Sequence, residues 1–191
     1  MISEDKIISD CKKGKSSAQD MLFRIYAPRM LGVCLRYTCN KQEAEDVLQD
    51  SFIKVFKNIG SFNNENKGSI GGWIRRICVN TALNNYRDTL KYRQETDIDI
   101  FKGNIPDNTD DDEISEEPIE KEKILQIIHD LPAGYKLVFN LYVFEQYTHQ
   151  QIADELNISA NTSKTQLMKA RTFIKKKILE LQTAHQISKV I

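Results

Sequence analysis

Glycine and proline are scarce in this 191-residue chain, eight and four in number. That scarcity argues against a sandwich or barrel of many short strands and tight turns. No apolar run approaches the roughly 20 residues that a helix needs to cross a bilayer. The opening Met1-Ile2-Ser3-Glu4-Asp5-Lys6 is charged and lacks the apolar core of a signal peptide. Both absences lead us to expect a cytoplasmic protein with no membrane insertion. The four cysteines, Cys11, Cys34, Cys39 and Cys78, include no C-x-x-C pair, and His129, His149 and His185 are scattered. This spacing argues against a zinc site and fits reduced, mostly buried thiols. No nucleophile–base pair and no glycine-rich phosphate loop is legible, so neither a cofactor nor an enzyme is expected.

Net charge is also missing, with 27 Lys and Arg against 27 Asp and Glu, but the average conceals a pattern. Residues 1–93 carry 16 basic against 10 acidic side chains, residues 94–122 carry 2 against 12, and residues 123–191 carry 9 against 5. Two basic bodies therefore flank an acidic strip. Basic bodies suit polyanions, although solvated helix faces give the same count. Around Asp97, Asp99, Asp107, Asp110, Asp111, Asp112, Glu113, Glu116 and Glu117 there are few large apolar groups and no periodicity, which reads as a flexible acidic linker. A calcium loop is disfavoured because Phe101 and Lys102 stand where it needs a ligand and then glycine. The fold class expected is all-α: a helical domain over 1–93, the linker over 94–118 and a second helical domain over 119–191.

Cap and stripe signals place the helices. One helix from about Ser3 to Lys13 ends at Gly14. Ser16 with Gln19 is expected to cap a second, which Pro28 should kink. Asn40 with Glu43 caps a third, whose apolar stripe is Ala44, Val47, Leu48, Phe52, Val55, Phe56 and Ile59. After the loop Ser61 to Ser69, a fourth helix starts at Ile70 or Gly71 and carries Arg75, Arg76, Asn80, Asn84, Asn85 and Arg87. Its Trp73 reads as core rather than as a stacking wedge. Helices at Ile124–Ile128 and Leu137–Phe144 open the second domain. Thr148 and Gln151 then form a capping box, Asn157 falls at a bend and tolerates a left-handed backbone, and Ser159 caps the next helix. Leu167 and Ala170 continue its apolar stripe. Asn161, Thr162, Lys164, Thr165, Gln166, Lys169 and Arg171 are expected on its exposed side. The arrangement is a helix-turn-helix, whose second helix enters the major groove.

Three stretches carry a family resemblance. Glu43-Ala44-Glu45-Asp46-Val47-Leu48-Gln49-Asp50-Ser51-Phe52-Ile53-Lys54-Val55-Phe56 resembles the second conserved segment of sigma-70 factors. Gly72-Trp73-Ile74-Arg75-Arg76-Ile77-Cys78-Val79-Asn80 resembles the promoter-melting segment of the same family. Leu131-Pro132-Ala133-Gly134-Tyr135-Lys136-Leu137-Val138-Phe139 and the helix-turn-helix after it resemble the family's fourth region. The two-domain size resembles the extracytoplasmic-function (ECF) group.

The resemblance implies core RNA polymerase and promoter DNA as partners, and it admits an anti-sigma factor, of which the residues carry no signature. It implies that Asp46, Gln49, Asp50, Phe52 and Ile53 dock on core polymerase. Phe62, Asn63, Asn64, Asn66 and Lys67 would hold a flipped base of the −10 element, with Arg75, Arg76, Asn80, Asn84 and Arg87 along the melted strand. Asn161, Thr162, Lys164, Thr165, Gln166, Lys169 and Arg171 would meet the −35 element. The linker would thread the polymerase's RNA exit path, or serve as a plain tether. The chain departs from the family pattern at Asn157 and Asn161, where glycine is usual, and at Ser163, where valine or isoleucine is common. A hydroxyl there puts the packing of the groove-entering helix in question. A helix-turn-helix regulator that acts without polymerase would need only the second domain.

Overall fold

A computed structural model describes residues 3–63, 68–93 and 120–190 of the chain. Asn64, Asn66, Lys67 and the linker 94–118 lie outside the described residues. Those described form helices and no strand, as the low glycine and proline content implied. The chain divides into two compact units, Met1–Glu95 and Thr96–Ile191.

The first unit holds α1 (Glu4–Lys12), α2 (Ser16–Leu35), α3 (Lys41–Asn58), a 3₁₀ turn (Ile59–Ser61) and α4 (Ile70–Arg93). The α1 ends lie where the cap signals put them. Ser3 Oγ accepts from the Lys6 N–H at 3.4 Å, and Gly14 closes the helix at φ 74°. The start of α2 departs from expectation. Ser16 is already helical, Lys15 is the cap residue, and no side chain caps it. Lys15 instead pairs with Asp10 at 2.8 Å, and that hydrogen bond holds the Asp10 carboxyl below its ordinary range. The helix runs on through the exposed Pro28 to Leu35. At α3, Asn40 Oδ1 accepts from the Glu43 N–H at 2.8 Å, while the Glu43 carboxylate accepts from the Cys39 N–H at 2.9 Å.

The stripe Ala44, Val47, Leu48, Phe52 and Val55 is buried where α3 packs on α2 and α4. Gly71 permits a close approach of α4 to α2, since a Cβ there would stand 2.9 Å from Tyr26 Cε1. The Tyr26 hydroxyl donates to the Glu4 carboxylate and so ties α2 to α1. Burial first, and then that carboxylate, push the phenol up to about 12.

Cys34 on α2 and Cys78 on α4 are fully buried and hydrogen-bonded to each other, and that contact together with burial pushes the Cys34 thiol up. Cys11 is buried as well, while Cys39 is exposed. A thiol reagent should therefore label one of the four cysteines, Cys39, quickly in the native protein. The others should react at least about a hundredfold more slowly, because labelling them needs local opening. Mass spectrometry of briefly labelled protein reads this directly, and early modification at Cys34 or Cys78 would contradict the packing.

The second unit holds α5 (Lys121–His129), α6 (Ala133–Val143), α7 (His149–Leu156) and α8 (Ala160–Val190). The long α8 is the common support, since α5, α6 and α7 all pack on it. Ile128, Leu131, Tyr135 and Ala170 form a core cluster, with Phe139, Phe144, Phe173 and Ile174 packed around it. The expected capping box is formed: Thr148 Oγ1 accepts from the Gln151 N–H at 3.2 Å, and Gln151 Oε1 accepts from the Thr148 N–H at 2.8 Å. Asn157 turns the chain at φ 53°, ψ 47°, and Ser159 Oγ accepts from the Thr162 N–H at 2.9 Å to start α8. The bend between α7 and α8 is thus built from residue types that each satisfy a local backbone requirement.

Candidate functional site

In the second unit the geometry is that of a helix-turn-helix, with α7 first and the N-terminal half of α8 second. Asn161, Lys164, Thr165 and Arg171 are exposed, and Thr162 and Lys169 are partly exposed. Gln166 is not on that side. It is 3% exposed, and neither amide atom has a hydrogen-bond partner. The cause is helical spacing: Ser163, Gln166, Leu167 and Ala170 recur at i, i+3, i+4 and i+7, and all four are buried. Met168 takes the place that Gln166 was expected to fill. It is 52% exposed and continues the stripe of Asn161, Lys164 and Thr165. The same spacing rule was the signal that would have found it.

Ser163 has a partner. Its Oγ lies 2.9 Å from His149 Nδ1, so the hydroxyl buried in α8 bonds to the first residue of α7. The His149 ring stacks on Tyr142 of α6 with centroids 4.8 Å apart at 25°, and the Arg171 guanidinium lies 5.8 Å from the Tyr142 ring centre. Burial first, then the Lys164 and Arg171 cations, hold His149 below the ordinary histidine range.

In the first unit, Arg76, Asn80 and Asn84 are exposed, and Arg87 is partly so. Their spacing puts them on one side of α4 over about 16 Å at 1.5 Å per residue. Arg87 Nη1 donates to Asn84 Oδ1 at 2.9 Å. Arg75 is set apart, half-buried and about 100° round the helix from Arg76. Phe62 is a correction. It is 2% exposed and packs on Trp73, with ring centroids 5.2 Å apart, so it anchors the loop instead of offering a free stacking face. Lys12 Nζ donates to the Phe62 carbonyl at 2.7 Å and fixes the same point to α1. Asn63, next along, is exposed.

On α3, Asp46, Gln49, Asp50 and Ile53 are exposed at i, i+3, i+4 and i+7 and form one mixed face. Phe52 does not belong to it. Its side chain is 2% exposed and sits edge-on to Phe23 at 4.7 Å, because it falls on the inward stripe between Leu48 and Val55.

Comparison with known proteins decides the family. The model for sigma-70 region 2 matches residues 22–91, and that for sigma-70 region 4 matches residues 121–174. The chain belongs to the sigma-70 family. Relatives within it include the ECF RNA polymerase sigma factor SigW of Bacillus subtilis, 28% identical over 92% of this chain and 97% of that protein. The RNA polymerase sigma-H factor of Pseudomonas aeruginosa is 25% identical over 93% of this chain and 95% of its own length. A Bartonella quintana sigma factor, RpoE, solved with the anti-sigma factor NepR, is similar in fold, with TM-score 0.50 and 14% identity over 83% of this chain and 95% of that one.

These matches place the chain in the ECF group of sigma factors, which direct promoter-specific initiation by RNA polymerase. Its partners are accordingly core RNA polymerase and promoter DNA. Sigma factors are not enzymes. Among the described residues, no helix is long and apolar enough to cross a membrane.

Proposed function

We propose that this sigma factor grips its promoter at two points and the polymerase at a third, each through a separate helix face. The face Asp46, Gln49, Asp50 and Ile53 docks on core polymerase, as a mixed polar and apolar stripe suits a partner helix pair. Asn63 and the stripe Arg76, Asn80, Asn84 and Arg87 take the −10 strand. The family resemblance assigns Asn64, Asn66 and Lys67 to the flipped base, and Arg75 flanks the α4 stripe. On α8, Asn161, Thr162, Lys164, Thr165 and Lys169 read or approach −35 base edges. Met168 offers an apolar contact for a thymine methyl, and Arg171 a phosphate contact.

The observation that carries the reading is the exposed stripe Asn161, Lys164, Thr165 and Met168 on a helix whose start is fixed by its caps. Strand opening is driven by binding alone, with no covalent chemistry. The domains are 1–93 and 119–191, and the linker 94–118 suits a basic channel through its acidic charge. An anti-sigma factor is the regulatory partner of this reading, because the exposed α3 face can be covered by a competitor. The work is done in the cytoplasm.

The test is in vitro transcription with purified core polymerase and mapping of the start sites. Discrete starts should appear only with the added chain, and scrambling the upstream element should reduce initiation about tenfold or more, since each mismatched pair is worth about 1–3 kcal/mol. Binding of the chain to DNA with no association with core polymerase would overturn the proposal.

A further inference from the structure

We propose that His149 and Ser163 form a polar pivot that sets the rotation of α8 in the major groove, and with it the discrimination between correct and incorrect −35 sequences. The inference rests on the reading of α8 as the −35 helix and goes beyond it to two residues that touch no DNA.

Ser163 is fully buried, at a position where an apolar side chain would pack without direction. A hydroxyl there must be bonded, since an unpaired buried polar group costs about 1–3 kcal/mol. Its partner at 2.9 Å is His149 Nδ1. Hydrogen bonds weaken steeply with angle and distance, so this one restricts how far α8 can turn about its own axis. The imidazole is itself held. It is the first residue of α7, which is fixed by the Thr148–Gln151 box, and it stacks on Tyr142 of α6. One ring thus joins three helices at the root of the helix-turn-helix.

The residues that project toward DNA lie beside the pivot. Lys164 and Thr165 follow Ser163 directly, and Asn161 is two residues before it. A rotation of α8 therefore moves all of them together. Base-edge hydrogen bonds are short and directional, whereas contacts to phosphate are largely set by charge and tolerate displacement. Loss of the pivot should accordingly reduce discrimination more than total affinity. The charged groups facing the ring are Lys164 and Arg171 of α8, and Tyr142 is the titratable group facing it from α6. One proton lies between Nδ1 and Oγ, donated from either side. Asparagine can replace the histidine in both arrangements, because its amide places an acceptor and a donor at the same distance from the backbone as Nδ1.

The test uses full-length chain bound to core polymerase. The probes are a duplex carrying the upstream element of a mapped start site and the same duplex with that element scrambled. Wild type must first prefer the intact duplex. If it does not, the −35 reading itself fails and the pivot is not what has been refuted. Given that preference, Ser163→Ala and His149→Phe should each reduce the ratio of the two affinities about tenfold, with binding to scrambled DNA nearly unchanged. His149→Asn should recover most of the ratio. Thermal melting establishes that each variant is folded, and Ser163→Ala, the smallest change, serves if His149→Phe is not. Wild-type discrimination in folded Ser163→Ala would overturn the proposal, as would His149→Asn no better than a folded His149→Phe.

Discussion

Phe52→Ala will destabilise the N-terminal unit by about 3–5 kcal/mol, whereas Ile53→Ala, one residue along, will leave folding intact and abolish transcription. The two side chains differ by about 100° around α3. Phe52 is 2% exposed and packed against Phe23 and Phe56. Removing it leaves a cavity that a close-packed interior fills only in part. Ile53 is 51% exposed and borders Asp50 and Gln49 on the face proposed to dock on polymerase. Truncating it removes little buried area within the chain, but at the centre of an interface an apolar anchor carries a large share of the binding energy. Denaturant melts give the first half of the comparison, and competition for core polymerase against labelled wild type gives the second. Ile53→Ala that competes as well as wild type would exclude this face as the dock, and Phe52→Ala with an unchanged midpoint would contradict the packing.

The contrast also marks what could be read from the sequence. Local signals survived except at the start of α2, where Ser16 with Gln19 forms no cap: Asn40 with Glu43, Thr148 with Gln151, Asn157 and Ser159 each satisfy backbone groups within a few residues, so no tertiary information is needed to place them. The apolar stripes survived for the same reason, since a period of 3.6 residues is a property of one helix. Phe52 was legible as core from that stripe, and the family resemblance drew it onto the docking face instead. Phe62 was not legible, because its ring packs on Trp73 and its carbonyl is held by Lys12, eleven and fifty residues away. The His149–Ser163 bond was hidden likewise, as it joins two helices across a bend. Gln166 misled through its residue type. Its position at i+3 from Ser163 and four before Ala170 put it inside, but a glutamine on a groove-entering helix suggests an adenine contact.

That misreading leads to the second large effect. Gln166→Met should stabilise the C-terminal unit by about 1–3 kcal/mol, because it keeps the length of the side chain and removes two buried polar atoms that have no partner. In a unit of this size that corresponds to a rise in melting temperature of about 4–8 °C per kcal/mol. Discrimination between −35 sequences should stay at the wild-type value. Lys164→Ala should do the opposite. Lys164 is exposed on the outer stripe, so its loss should leave the melting temperature unchanged. Its loss should also weaken binding to the intact duplex by about 1–3 kcal/mol if it reads a base. A phosphate role instead predicts equal weakening on scrambled DNA and a shallower salt dependence. The glutamine thus decides between two accounts of α8. If it reads DNA, its replacement by methionine reduces discrimination and does nothing for stability. If the buried stripe is right, the protein gains stability and loses nothing at the promoter.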